Sequence, residues 1–195
     1  LEDTGTYRLE VNNALLPNLT LKSANYRFRI SGFEQDSLAM VSLYESTNGA
    51  EWTNQTNWLT GPLSTWEGIT LDQDRISQLS LPNNNLSEIL PVDLAVANAL
   101  TVVDLSQNNL TDSLPGSINE ISGLVSLNLA SNDLNSIPIM APLQSLSTLN
   151  VSGNRIQFGD LETNLGINNL IYSPMDSLTV GRDTLMESGD NVTLE

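Results

Sequence analysis

The chain has 195 residues, 23 acidic against seven basic, for a formal charge of −16 and a pI near 4.1. That balance argues against nucleic-acid binding, because phosphate contacts need clustered Lys and Arg. The absence of cysteine and histidine removes disulfides, thiolate chemistry, the usual general base and the commonest transition-metal ligand together.

Four of the seven basic residues (Arg8, Lys22, Arg27, Arg29) precede residue 33, leaving three against 20 acidic ones beyond it. No apolar run approaches the ~20 residues of a membrane helix, so no membrane insertion is expected. Leu1 does not open a basic-then-apolar signal peptide, so the chain reads as processed or as an internal piece of something longer.

Residues 1–32 alternate through Val11, reach Asn12-Asn13, and continue in a second apolar segment to Leu21. Alternation broken by Asn-Asn predicts a hairpin turning at that pair. Asp3-x-Gly5-x-Tyr7 resembles the tyrosine corner of immunoglobulin-like domains, with Leu9 where many members carry cysteine. The resemblance implies the last strands of a truncated sandwich, with Tyr26, Phe28 and Ile30 on one face of the final one. A plain hairpin packed on the downstream domain is the alternative.

Over residues 33–75, Asp36 or Ser37 is predicted to N-cap a helix carrying Leu38, Val41 or Met40, and Tyr44 on its buried face. Asn48-Gly49 should end it, glycine supplying the left-handed residue. Trp52, Trp58 and Trp66 follow within fifteen residues. This order, closing in Trp66-x-Gly68-Ile69, resembles the N-terminal cap of plant-type leucine-rich repeat ectodomains. Ser64 and Leu71 stand where plant members have cysteines, so aromatic burial alone must hold the cap. A sugar platform is the other use such a tryptophan cluster can have.

From residue 76 to 156 one phrase is written four times. It reads Ile76-x-x-Leu79-x-Leu81-x-x-Asn84-x-Leu86 and recurs from Leu100, Leu124 and Leu146, with asparagines Asn84, Asn108, Asn132 and Asn154 spaced 24, 24 and 22 residues apart. This resembles the leucine-rich repeat pattern. The fold class expected is therefore α/β: a short right-handed solenoid with a parallel concave sheet, a helical N-terminal cap and β-rich flanking segments. The alternating Leu-x-Leu places two apolar residues on the inner side of each short strand. The asparagine follows where the chain turns away, and its amide suits a buried structural ladder. Leu90-Pro91, Leu114-Pro115 and Ile137-Pro138 predict an outer limb that is extended or irregular with short 3₁₀ turns.

Candidate ligand-binding residues are those pointing out of the strands on the concave face. From the aligned columns they are Gln78, Ser80, Asp104, Ser106, Ser126, Asn128, Thr148 and Asn150. Mere solvated strand residues are the competing reading, since no aromatic or arginine hot spot stands among them. Asp72-x-Asp74 suits a solvated turn better than a calcium loop. Six Asn-x-Ser/Thr sequons (Asn18, Asn54, Asn85, Asn109, Asn150, Asn191) arise partly from the repeat itself.

The phrase is read as ending at Ile156, with residues 157–175 closing the solenoid and Phe158, Ile171 and Tyr172 covering its open edge. Leu170-Ile171-Tyr172-Ser173-Pro174 resembles the closing segment of leucine-rich repeat regions in secreted surface proteins of Bacteroidetes-type bacteria. Residues 176–195 look like the first strands of a following immunoglobulin-like domain. The functional expectation is a non-catalytic module, secreted or at a cell surface, taking a protein or glycan on the concave face with no cofactor, metal or nucleic acid. A rigid spacer in an adhesin and an accessory domain of a secreted enzyme are the alternatives.

Overall fold

The computed structural model describes residues 32–175 in full, and of the flanking stretches only the backbone of short strands. Those strands are β1 (Thr6–Tyr7), β2 (Glu10–Asn13), β3 (Leu16–Lys22) and β4 (Tyr26–Arg27), with β14 (Thr179–Val180) and β15 (Thr184–Leu185) at the other end. Asp3 and Gly5 of the tyrosine corner, Phe28, Ile30 and most of the segment after residue 175 lie outside the described residues.

β2 pairs antiparallel with β3, giving the hairpin, but its turn is displaced from the expected place. Asn12 faces Thr20 and Asn13 faces Leu16, with a slip of register between them. The asparagine pair is thus absorbed as an irregularity inside the strand.

Helix α1 (Gly32–Ser46) starts four residues before Asp36, so neither Asp36 nor Ser37 is its N-cap. Ser37 instead bonds back to the Phe33 carbonyl at 3.0 Å, as an in-helix serine does. The buried stripe is Asp36, Ala39, Met40 and Leu43, while Leu38 is 58% exposed on the far side. Asp36, and not Leu38, faces the core, because its charge is met there. Arg75 Nε and Nη2 donate to the Asp36 carboxylate at 2.9 and 2.8 Å, and the Ile76 N–H donates at 2.7 Å. The bonded carboxylate raises the Arg75 pKa above its ordinary value, with burial opposing.

The helix ends at Ser46, and Asn48 two residues on is itself the left-handed residue at φ 58°. Gly49 is required for another reason: a Cβ there would run into the Tyr44 ring. That ring packs edge-on to Trp52 at 5.2 Å, Trp52 on Trp58 at 4.7 Å, and Trp58 on Trp66 at 5.0 Å. Gly49→Ala is therefore expected to lower stability by about 1–3 kcal/mol through overpacking. Urea unfolding read by tryptophan fluorescence would report it, and an unchanged midpoint would show that the ring moves freely.

All three tryptophans are buried, and each indole N–H donates to a backbone carbonyl: Trp52 to Thr47, Trp58 to Glu67, Trp66 to Thr60. Gly68 (φ 78°) allows the cap to close on the first repeat, since a Cβ would collide with the Ser80 carbonyl oxygen.

β5 (Ile69–Asp72) runs antiparallel to β6 (Arg75–Ser80), and parallel strands then stack on it. They are β8 (Val102–Asp104), β10 (Ser126–Asn128), β12 (Thr148–Asn150) and β13 (Asn169–Ile171), in the sheet order β13-β12-β10-β8-β6-β5. A second parallel sheet, not anticipated from sequence, joins β7 (Ser87–Glu88), β9 (Asn109–Ser113) and β11 (Asp133–Ser136). The outer limb then carries 3₁₀ turns at Val92–Val96 and Gly116–Glu120, directly after Pro91 and Pro115, as the Leu-Pro steps predict. Between the sheets and this limb runs one core from Met40 and Leu43 to Ile156 and Leu161.

β13 corrects the reading that the repeats end at Ile156. Ile167-x-x-Leu170-x-Tyr172-x-x-Met175 is a degenerate fifth copy, with Leu170 in register with Leu149. Its weak signal has a physical cause: Met175 replaces the ladder asparagine, so the phrase loses its most distinctive member. The edge is closed by Leu161 of α2 (Phe158–Glu162), by Asn164, and by Ile167, Leu170 and Met175 packed on the core. Phe158 is 55% exposed, and Ile171 and Tyr172 are also exposed, so they do not provide the cover assigned to them. Ile171 projects from the opposite face of β13 to the inward Leu170, as strand alternation requires.

Candidate ligand-binding face

In the long sheet the inward positions Leu79, Val103, Leu127 and Leu149 are fully buried, which turns the residues on either side of each outward. Pairing brings the outward residues into two rows. One runs Gln78, Val102, Ser126, Thr148, Asn169, and the other Ser80, Asp104, Asn128, Asn150, Ile171. The structure thus brings seven of the eight nominated residues onto one surface. It adds Asn169 and Ile171, which the degenerate fifth copy hid in the sequence. The eighth, Ser106, is turned in and 7% exposed, its hydroxyl donated to Asp104 Oδ1 at 2.7 Å.

The second row is partly committed to the fold. Asp104 Oδ1 accepts the Ser106 N–H at 3.0 Å, Asn128 Oδ1 that of Ala130 at 3.3 Å, and Asn150 Oδ1 that of Ser152 at 3.2 Å. Each is a side chain closing a turn on the backbone two residues on. Ser80 has no such bond to make, because Pro82 two residues on lacks an N–H. Gln78, Ser126 and Thr148 of the first row have no side-chain hydrogen bond among the described residues. Val125 adds an exposed apolar side chain beside Ser126.

Behind this surface the ladder asparagines stitch each repeat to the one before. Asn108 Nδ2 donates to the carbonyls of Leu81, Leu105 and Ser106, and its Oδ1 accepts the N–H groups of Asn84 and Leu86. Asn132 and Asn154 repeat the donor set, and accept from Leu110 and Leu134. Asn84 instead meets the cap, exchanging bonds with the Asn54 backbone at 2.6 and 2.9 Å. The residue before each ladder member is left-handed (Asn83, Gln107, Ser131, Gly153), which swings the amide into the core. A polar recess of ≈480 Å³ lies beside it, lined by Asn109, Thr111, Ser131, Asp133 and Gly153 among others.

Other sequence candidates resolve into structure. Gln73 and Asp74, both at positive φ, form the two-residue turn between β5 and β6, so Asp72-x-Asp74 is a hairpin tip. The sequon residues Asn85 and Asn109 are bonded to one another side by side at 3.0 Å. Among the described residues no three of the ligating acidic types gather as a metal site, and no helix is long and apolar enough to cross a membrane.

The leucine rich repeat family model matches residues 98–156. No curated protein sequence matches the chain. Among solved structures, the BIR2 ectodomain from Arabidopsis thaliana is similar at 26% identity and a TM-score of 0.60, over 74% of this chain and 82% of that one. A chain of the BIR3–SERK2 complex from the same plant is similar at 23% identity and 0.60, over 74% and 84%. A chain of the PEPR1–AtPEP1 structure is similar at 16% identity and 0.55, over 73% and 25%. Register, asparagine ladder, family model and structural likeness agree that this chain carries a leucine-rich repeat domain of α/β construction.

Proposed function

We propose that residues 33–175 are a non-catalytic interaction module that takes a protein or glycan ligand on the outward face of the long sheet. Gln78, Ser80, Asp104, Ser126, Asn128, Thr148 and Asn150 contribute to that face. The observation carrying this reading is the pair of in-register rows across five parallel strands, with Gln78, Ser126 and Thr148 left uncommitted by the fold. A pleated, pre-formed surface of uniform pitch presents side chains at fixed spacing without an ordering cost. Two similar structures are complexes, BIR3 with SERK2 and PEPR1 with AtPEP1, which supports a protein or peptide ligand.

In this proposal the module works in an extracellular setting, secreted or on a cell surface. Residues 1–32 and 176–195 belong to flanking immunoglobulin-like domains of the same polypeptide. The bacterial surface-protein setting rests on the closing segment around Tyr172-Ser173-Pro174.

A test uses displayed random heptapeptides and a glycan array against the 195-residue chain. Ser126→Arg with Thr148→Arg adds bulk at two positions that hold no turn, and is expected to weaken selected ligands by about tenfold or more. Ligands held equally well by the double variant would place binding elsewhere. A rigid spacer is the second reading, favoured by the engagement of Asp104, Asn128 and Asn150 in backbone turns. Selection of nothing from either library would support it.

A further inference from the structure

We propose, building on the interaction-module reading, that the ligand is a cationic peptide with one Lys or Arg side chain seated on Asp104. Asp104 is the sole ionisable residue among positions 77–80, 101–104, 125–128, 147–150 and 169–171. Its turn does not require that charge. Asn128 and Asn150, in the same row of the next strands, make the same bond to the backbone two residues on with a neutral amide. Only Oδ1 of Asp104 is engaged, by the Ser106 N–H and hydroxyl, and Oδ2 has no partner among the described residues.

The surroundings suit a cation. Ser80 and Asn128 flank Asp104 in the row, one strand spacing of ~4.8 Å to either side. Val102, two residues earlier on the same strand face, offers an apolar surface for a Lys or Arg stem. Among the described residues no cation competes here. Residues 32–175 hold fifteen carboxylates against two arginines, with Arg75 paired to Asp36 and Arg155 to Asp133. The resulting field draws basic ligands toward the surface and repels acidic ones. A peptide is favoured over a glycan because these positions carry no aromatic ring for sugar stacking, the tryptophans being buried in the cap.

Capped heptapeptides with Arg, Gln or Glu fixed at the centre and random flanks form the probe. Against the native chain at low salt, Arg is expected to be preferred over Gln by about fivefold, as a half-exposed ion pair gives, and the preference should fade at 0.5 M salt. Asp104→Asn keeps the turn acceptor and is expected to remove the preference, bringing the Arg series down to the level of the Gln series. Circular dichroism checks that variant's fold. Equal binding of Arg and Gln, or an Arg preference that survives in Asp104→Asn, overturns the cation assignment alone. Selection from the glycan array only overturns this inference and leaves the interaction-module reading standing. Insensitivity of every series to Ser126→Arg with Thr148→Arg, or no binding at all, overturns that reading and this inference with it.

Discussion

Replacing Asp36 by alanine is expected to destabilise the domain by about 3 kcal/mol or more, the range for breaking a buried ion pair from one side. Asp36 is 0% exposed and serves three donors at once, two from Arg75 and the Ile76 N–H. Arg75, with 29% of its side chain exposed, can turn toward water when released, which limits its share of the loss. The Ile76 N–H cannot, because it opens the first repeat strand and is buried. Urea unfolding of Asp36→Ala, Asp36→Asn and the pair Asp36→Leu with Arg75→Met separates these contributions. Asn retains an acceptor and should cost less than Ala. The apolar pair removes both charges, so it should recover part of the loss if an orphaned charge matters. A double variant as unstable as Asp36→Ala would assign the whole effect to the Ile76 bond, and a loss under 1 kcal/mol for alanine would remove Asp36 as the staple of cap to solenoid.

Asn108→Ala should cost about 3 kcal/mol or more, and Asn84→Ala visibly less. Each buried backbone group left without a partner costs roughly 1–3 kcal/mol. Asn108 holds two N–H groups of the preceding repeat and three carbonyls, across a buried interface. Asn84 holds only the Asn54 backbone at the cap, where the bonds are part-buried and water can replace them. In a one-dimensional solenoid the loss of a central interface uncouples the two halves. Unfolding of Asn108→Ala should therefore broaden as well as shift. Equal midpoints for the two variants would show that the ladder bonds at Asn108 are no more stabilising than a surface contact.

The helix shows where periodicity misleads. Counting apolar residues selects Leu38 and rejects Asp36 from the core, yet the structure does the opposite. Nothing local to residues 36–46 shows that Arg75, 39 positions later, returns to neutralise the carboxylate. The C-terminal edge fails differently. Phe158 and Tyr172 are the large apolar residues near it, so composition nominates them, while a fifth strand led by Leu170 closes the edge and leaves them out. Likewise the concave columns are legible as columns, but their hydrogen bonds are not. That Asp104, Asn128 and Asn150 each bond to the residue two ahead depends on backbone angles that spacing does not state.

By itself the sequence determined the repeat, the inward Leu-x-Leu positions, the buried asparagines and the proline-started outer turns. Each follows from a period or a side-chain property acting within one repeat of about 24 residues. Tertiary structure alone decided which charge is buried, how many strands the sheet has, and which outward residues remain free to meet a ligand. Those outcomes depend on partners 20 to 40 positions away, and on geometry that sequence spacing does not encode. Asp104 is the meeting point of the two: its column was visible in the chain, and its spare carboxylate oxygen only in the fold.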